Sequence, residues 1–217
     1  MITEPEDEVK EDVDGGNGGD FERNLNVNEL LPRLHGQYPG DVGILAVFML
    51  NCFRLSPGEG IFLDANLPHA YLSGDCLECM ACSDNVVRAG LTPKLRDTPV
   101  LCGMLEYNAA SPTVMKGQRI GEHSRQYRAG AHIDEFRMDQ TVIEKMGNET
   151  LDISTIKGCA SDFASIMLVY EGNGTLNGVD VGCGDCLLVP DNVKKLTIEN
   201  KGDSPMKLAR CYAPSKN

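Results

Sequence analysis

The chain has 217 residues, 41% of them apolar, enough to bury a core in one large or two small domains. Its net charge of −12 repels nucleic-acid phosphates and anionic lipid, so neither is expected as a partner, although a local basic site can still hold a small anion. No basic stretch leads into an apolar core at the start, and the longest apolar run, Val42 to Leu50, is too short to cross a bilayer, so the expectation is a soluble, cytoplasmic protein.

Residues 1–25 are rich in acids and glycine with hardly any large apolar side chains, and read as a disordered acidic tail. "NVNELLPRLHGQYPGD" (26–41) opens with a helix start, and Pro32 and Pro39 predict a helix of about two turns. From Val42 the pattern turns to β: "VGILAVFMLNCFRL", the turn "SPGE", then "GIFLDA". "SIMLVYEGNGTLNG", "DCLLVPDN", "KKLTIEN" and "MKLARCYA" follow as short strands between turn residues. The fold class expected is all-β, of the jelly-roll kind.

An internal echo sharpens this. Gly58-Glu59, Asp64-Ala65-Asn66 and His69 overlay Gly184-Asp185, Pro190-Asp191-Asn192 and Lys195 at one constant offset. In each copy a Gly-acid turn leads into an apolar strand, an Asn turn and a residue on the return strand. This resembles the second half of the cupin motif, where the return position carries a metal-binding histidine. The first copy has the histidine. The second has a lysine, whose ammonium has no lone pair to give. The layout that follows is a helical remnant and the later part of a cupin-like barrel over 26–109, then a second, metal-free cupin-like barrel over 110–217.

The richest stretch for chemistry is "LPHAYLSGDCLECMACSDNVVRAGLTPK" (67–94). Cys76, Cys79 and Cys82 form two overlapping C-x-x-C pairs, and Cys183 and Cys186 a third, so a four-thiolate zinc site has to be considered. An extended backbone points thiols three apart to opposite faces, and "LE" and "MA" are poor turn formers, which favours buried thiols without metal. An odd total of nine cysteines argues against a disulfide framework. His69 follows a tight Asn-Leu-Pro turn at the cupin ligand position. Glu78, Asp84, Arg88 and Lys94 lie within 25 residues of it and read either as a solvated rim or as a site. Arg88, flanked by Val86, Val87 and Ala89, is suited to a phosphate or a developing oxyanion because its planar fork stays charged and donates two parallel hydrogen bonds. His35, His123 and His132 sit in polar surroundings and, with Asp134-Glu135, read as structural.

The run "PGEGIFLDANLPHAYLSGDCLECMACSDNVVRAGLTPK" resembles the signature region of the type I mannose-6-phosphate isomerases. "QYPGDVGILAVFMLN", "YRAGAHIDEF" and "VYEGNGTLN" resemble other parts of that family, so the likeness spans roughly residues 28–215. It implies a zinc-dependent aldose–ketose isomerase that interconverts mannose 6-phosphate and fructose 6-phosphate through an enediol and feeds GDP-mannose synthesis. Carried over by position, His69 is similar to a zinc ligand, Arg88 matches the active-site arginine, and Glu78 and Lys94 match charged residues of the same pocket. Glu78 is then a candidate for proton transfer, while Lys94 and Asp84 are candidates for binding substrate. The family's other three zinc ligands, a glutamine, a second histidine and a glutamate, have no counterpart here: no Q-x-H or H-x-H occurs in the chain. Three accounts stay open: a partial copy of a longer enzyme, a short noncatalytic cupin module or pseudoenzyme that binds a sugar phosphate or a protein, or a chain that takes the missing ligands from a partner.

Overall fold

The structure is a computed structural model that describes residues 26–83, 86–108, 110–129, 133, 135–156, 158–159 and 163–215. The chain divides into two compact units, Met1–Cys76 with Ser83–Thr113 and Leu77–Cys82 with Val114–Asn217. Among the described residues no helix is long and apolar enough to cross a membrane.

In the first unit helix α1, Val27–Gln37, starts at Asn26, whose side-chain oxygen accepts from the Asn28 N–H at 3.0 Å while its amide donates to Glu29 at 3.0 Å. It runs for 11 residues, longer than the two turns expected. Pro32 lies inside it, so what that ring removes is one hydrogen bond near the first turn rather than the rest of the helix. Leu30 and Leu34, one turn apart, are its buried face.

The apolar run after Asp41 is not the strand its composition suggested. Val42–Phe48 is a 3₁₀ helix with no buried residue, and Val42, Leu45, Phe48 and Met49 are exposed. Its start is set by Asp41, which accepts from the Gly43 N–H at 2.7 Å, and by the close approach of Gly43 to Gly90, where an added Cβ would come within 2.8 Å of the Gly90 Cα. Local capping and backbone contact here override β-propensity. "GIFLDA" keeps only a two-residue strand, β1 (Gly60–Ile61), and a short helix, α2 (Thr98–Met104), starts at Asp97. The expected barrel strands of this unit are extended segments without a regular ladder.

The second unit carries the sheets. After the short strands β2 (Val114–Met115) and β3 (Gln118–Arg119) come β4 (Ser124–Arg128), β5 (Arg137–Ile143), β6 (Asn148–Asp152), β7 (Ser165–Glu171), β8 (Asn173–Leu176), β9 (Val179–Gly182), β10 (Cys186–Val189), β11 (Lys195–Asn200) and β12 (Met206–Tyr212). A six-stranded sheet in the order β10-β7-β12-β5-β4-β3 accompanies a four-stranded sheet in the order β6-β11-β8-β9, with antiparallel neighbours throughout. Alternation does the sorting: Met167 and Val169 of β7, Leu196 and Ile198 of β11, and Met206 and Leu208 of β12 are buried in one apolar core with Ile143, Leu151 and Leu176. Each such side chain contributes roughly 1.5–3 kcal/mol by leaving water. At Gly172, φ +76°, an added Cβ would meet the Pro205 carbonyl and lie 2.8 Å from the Met206 Cα, so only glycine lets β7 turn into β8 against β12. This is a two-sheet sandwich of the jelly-roll kind; neither sheet is closed into a barrel.

Candidate functional site

His69 leaves a turn in which Asn66 takes φ +63°. Its Nδ1 lies 2.9 Å from the Leu67 carbonyl, which can only accept, so Nδ1 bears the proton and the outward Nε2 keeps its lone pair. The ring is exposed and stands 5.7 Å from Tyr71, tilted by 50°. The segment beyond is tied to α1 by Arg33, which donates to the Leu72 carbonyl at 2.6 Å.

Arg88 and Lys94 lie on a loop of the same unit, Arg88 half-buried and Lys94 exposed. That loop is pinned by a residue the motif reading passed over. The Asp41 side chain, 9% exposed, accepts from Gly43 N at 2.7 Å and Arg96 at 3.3 Å through one oxygen, and from Thr92 N at 3.4 Å through the other. Hydrogen bonding from Gly43 above all, with the Leu91 and Thr92 amides and the Arg96 charge, holds its carboxyl below the usual carboxylate range against the opposing effect of burial. Thr92 then accepts from the Lys94 N–H at 3.1 Å. A cavity of about 290 Å³ beside this anchor is lined by Tyr38, Asp41, Thr92, Pro93 and Arg96 among others; His69, Arg88 and Lys94 are not in its wall. The signal for Asp41 in sequence was its place one residue before an apolar run, a helix-capping position.

Among the described residues no hydrogen bond joins His69, Arg88 and Lys94 to one another. Glu78 is exposed and belongs to the second unit, through the segment Leu77–Cys82. Asp84, His132 and Asp134 lie outside the described residues. Among those described, no group of three or more His, Cys, Asp or Glu side chains could hold a metal ion. The donor set therefore fits one bond to zinc, from His69 Nε2, and does not make a complete site.

The cysteine expectation needs partial correction. Exposure alternates along Leu77–Cys82, with Cys79 turned inward and Cys76 and Cys82 outward, as extended backbone requires. The thiols are not mainly buried, however: Cys159 is, whereas Cys76, Cys82, Cys102, Cys183 and Cys186 are exposed, because short extended segments have two faces and only one is covered.

The second unit holds a polar cluster inside its sandwich that sequence reading did not find. Arg210 on β12 donates to Asp139 on β5 at 3.2 Å, to the Cys159 carbonyl at 3.1 Å and to Ser165 at 3.0 Å, and its guanidinium lies 4.1 Å over the Tyr212 ring. Gln126 on β4 donates to Tyr212 at 2.7 Å and to the Gly158 carbonyl at 3.0 Å. Burial pushes the Asp139 carboxyl up, opposed by Arg210 and by hydrogen bonds from Tyr212 and Gln126. Arg210 and Asp139 are each 3% exposed.

No family model matches the chain. It is 42% identical over 200 residues to mannose-6-phosphate isomerase 2 of Arabidopsis thaliana, a match covering 89% of this chain and 43% of that protein. It is 65% identical over 146 residues to the mannose-6-phosphate isomerase of Homo sapiens, covering 66% of this chain and 33% of that one. Among solved structures it is similar to mannose 6-phosphate isomerase from Salmonella typhimurium bound to substrate and a zinc atom, with a TM-score of 0.67 and 27% identity over 85% of this chain and 45% of that chain. The chain spans less than half the length of these proteins.

Proposed function

We propose that this chain, homologous over most of its length to part of the mannose-6-phosphate isomerases, is a portion of a catalytic unit that interconverts mannose 6-phosphate and fructose 6-phosphate. The observation that carries the reading is the 65% identity over 146 residues with the Homo sapiens isomerase. The reaction moves a proton between C1 and C2 and places negative charge on an oxygen in passing. Arg88 supplies a fixed positive charge for that oxygen, and Lys94 an ammonium for the phosphate. Glu78 takes part in proton transfer and Asp84 in binding the sugar. His69, with its tautomer set by the Leu67 carbonyl, gives one ligand to a zinc ion whose remaining ligands come from outside the described residues. When bound, zinc is a Lewis acid. The acidic envelope excludes polyanions and leaves recognition of the phosphosugar to these local cations; the place of action is the cytoplasm, upstream of GDP-mannose.

The test joins this chain to the part of a relative that it does not match and assays isomerisation. The joined protein should load zinc and turn over, the chain alone should not, and Arg88→Ala should lower kcat by about 10²–10³-fold with zinc content unchanged. A zinc-loaded, folded joined protein without isomerase activity would sink the reading. That the described residues hold no group of three or more metal donors favours, as a second reading, a noncatalytic module; calorimetric binding of a phosphosugar by the chain alone, with the joined protein inactive, would select it.

A further inference from the structure

We infer that the 3₁₀ helix Val42–Phe48 is a docking face of the first unit, and that its occupant is the portion of a mannose-6-phosphate isomerase that this chain does not match. The inference rests on the isomerase reading, which supplies the occupant. In a helix of about three residues per turn, every third side chain falls on one line. Val42, Leu45 and Phe48 form such a line and are 63%, 51% and 59% exposed, whereas Gly43, Ile44, Ala46 and Val47 on the other two lines are partly covered. That orientation is fixed from behind. Asp41 holds the Gly43 N–H at 2.7 Å, and an added Cβ at Gly43 would come within 2.8 Å of the Gly90 Cα, so turning the helix would drive a side chain into the Gly90 backbone. The helix therefore shows its largest apolar side chains to solvent, the reverse of the usual amphipathic pattern. Met49, 77% exposed, extends the face by one residue.

The first unit has little core of its own to draw this face inward. Its buried apolar side chains among the described residues are Leu30, Leu34 and Leu55. A contiguous apolar patch left at a surface marks a contact surface. The relatives say what covers it: the match takes in 43% of the Arabidopsis thaliana protein and 45% of the Salmonella typhimurium chain, so each carries more than half its length beyond the portion equivalent to this chain. The metal donors point the same way. His69 belongs to the same unit and offers one bond, whereas a catalytic zinc takes about three protein ligands, so whatever completes that site has to pack against the first unit. Helix α1 joins the two places, since it packs on the 3₁₀ helix and its Arg33 donates to the Leu72 carbonyl just past His69. A second copy of this chain would bring only the same incomplete donor set.

The experiment compares the full chain alone with the same chain joined to the portion of the Arabidopsis thaliana isomerase that it does not match, and follows methionine oxidation by dilute hydrogen peroxide through peptide mass. Met146, 73% exposed on the turn between β5 and β6 of the second unit, is the internal reference for Met49. In the chain alone the two sulfurs should oxidise at similar rates. In the joined protein Met49 should slow about tenfold relative to Met146, because sulfoxide formation needs access to the sulfur. Leu45→Asp/Phe48→Asp should restore fast oxidation of Met49 in the joined protein while leaving the unfolding midpoint of the chain alone unchanged, since both side chains are exposed there. An unchanged ratio of Met49 to Met146 on joining would overturn the inference. So would protection of Met49 in the chain alone that grows with its concentration, which would give the face to a second copy. Protection without isomerisation would leave the docking face standing and remove the isomerase reading; isomerisation without protection would do the reverse.

Discussion

Residues 58–69 and 184–195 follow one backbone plan toward different ends. Both start from a glycine at positive φ, +81° at Gly58 and +96° at Gly184, with a strand opening two residues later at Gly60 and at Cys186. Both turn again at 65–66 and at 191–192 before reaching His69 or Lys195. In the second copy the strand runs four residues and ends at buried Val189. Lys195 then opens β11 opposite Asp152, and its charge, after the Ser154 hydrogen bonds, helps hold that carboxyl below its usual range. In the first copy the strand lasts two residues, and the return position presents an exposed imidazole whose inner nitrogen is already bonded. One scaffold thus serves cohesion where a sheet and core lie beneath it, and presents an exposed imidazole where they do not. The contrast depends on what holds each copy, and that can be tested one support at a time.

The largest effect is expected under the second copy. Arg210→Met leaves Asp139 buried without its cation, which costs about 3–5 kcal/mol when one partner of a buried pair is removed. Hydrogen exchange across 184–195 should accelerate strongly while 58–69 changes little. The sign with pH is fixed by Asp139. Its raised folded value means that the folded state holds the proton better than the unfolded one, so the penalty should shrink as pH falls and the carboxyl is neutralised. Adding Asp139→Leu should recover much of the loss. Equal acceleration in both copies would dissolve the contrast.

The first copy's unit should respond to a different residue. Asp41→Asn keeps the shape but weakens charge-assisted hydrogen bonds to Gly43, Thr92 and Arg96, a loss of roughly 1–3 kcal/mol confined to the first unit and read as faster exchange over 88–96. Because the Asp41 carboxyl is depressed on folding, its contribution is fully present above the unfolded value near 3.9 and is lost as pH falls through the folded value, so wild type and variant should converge in acid. A difference that persists unchanged at low pH would mean that the loop is held by something else.

These two supports mark where the sequence was readable and where it was not. The strands at 165–171, 186–189, 195–200 and 206–212 were legible because short runs of aliphatic and β-branched residues stand between glycine, proline and asparagine turns. The glycine turns at 58 and 184 were legible because few other residues accept that backbone. Arg210 was not: in "MKLARCYA" it sits at an inward position, but a charge within a strand reads as solvated until a buried partner from β5 is known. Asp41 was missed for the reverse reason, since its partners lie some fifty residues away and only its cap is local. The apolar run after it reads as a strand because periodicity cannot separate a short buried strand from a capped helical turn. The opposite facing of Cys79 and its neighbours was predictable from pleat alone.

The smallest expected effect tests the shared plan itself. An added Cβ at Gly184 would meet nothing within 4 Å, so Gly184→Ala probes backbone conformation without a packing change. Alanine at φ +96° is strained, and the cost should be about 1–2 kcal/mol, the usual penalty for an L-residue on that side of the map. Gly58→Ala, at φ +81°, should lose a similar amount from the first unit. Denaturant unfolding of each variant, followed by exchange in its own copy, gives the two numbers. If Gly184→Ala were neutral while Gly58→Ala were costly, the positive φ at 184 would be incidental, and the two copies would share a residue pattern rather than a structural requirement.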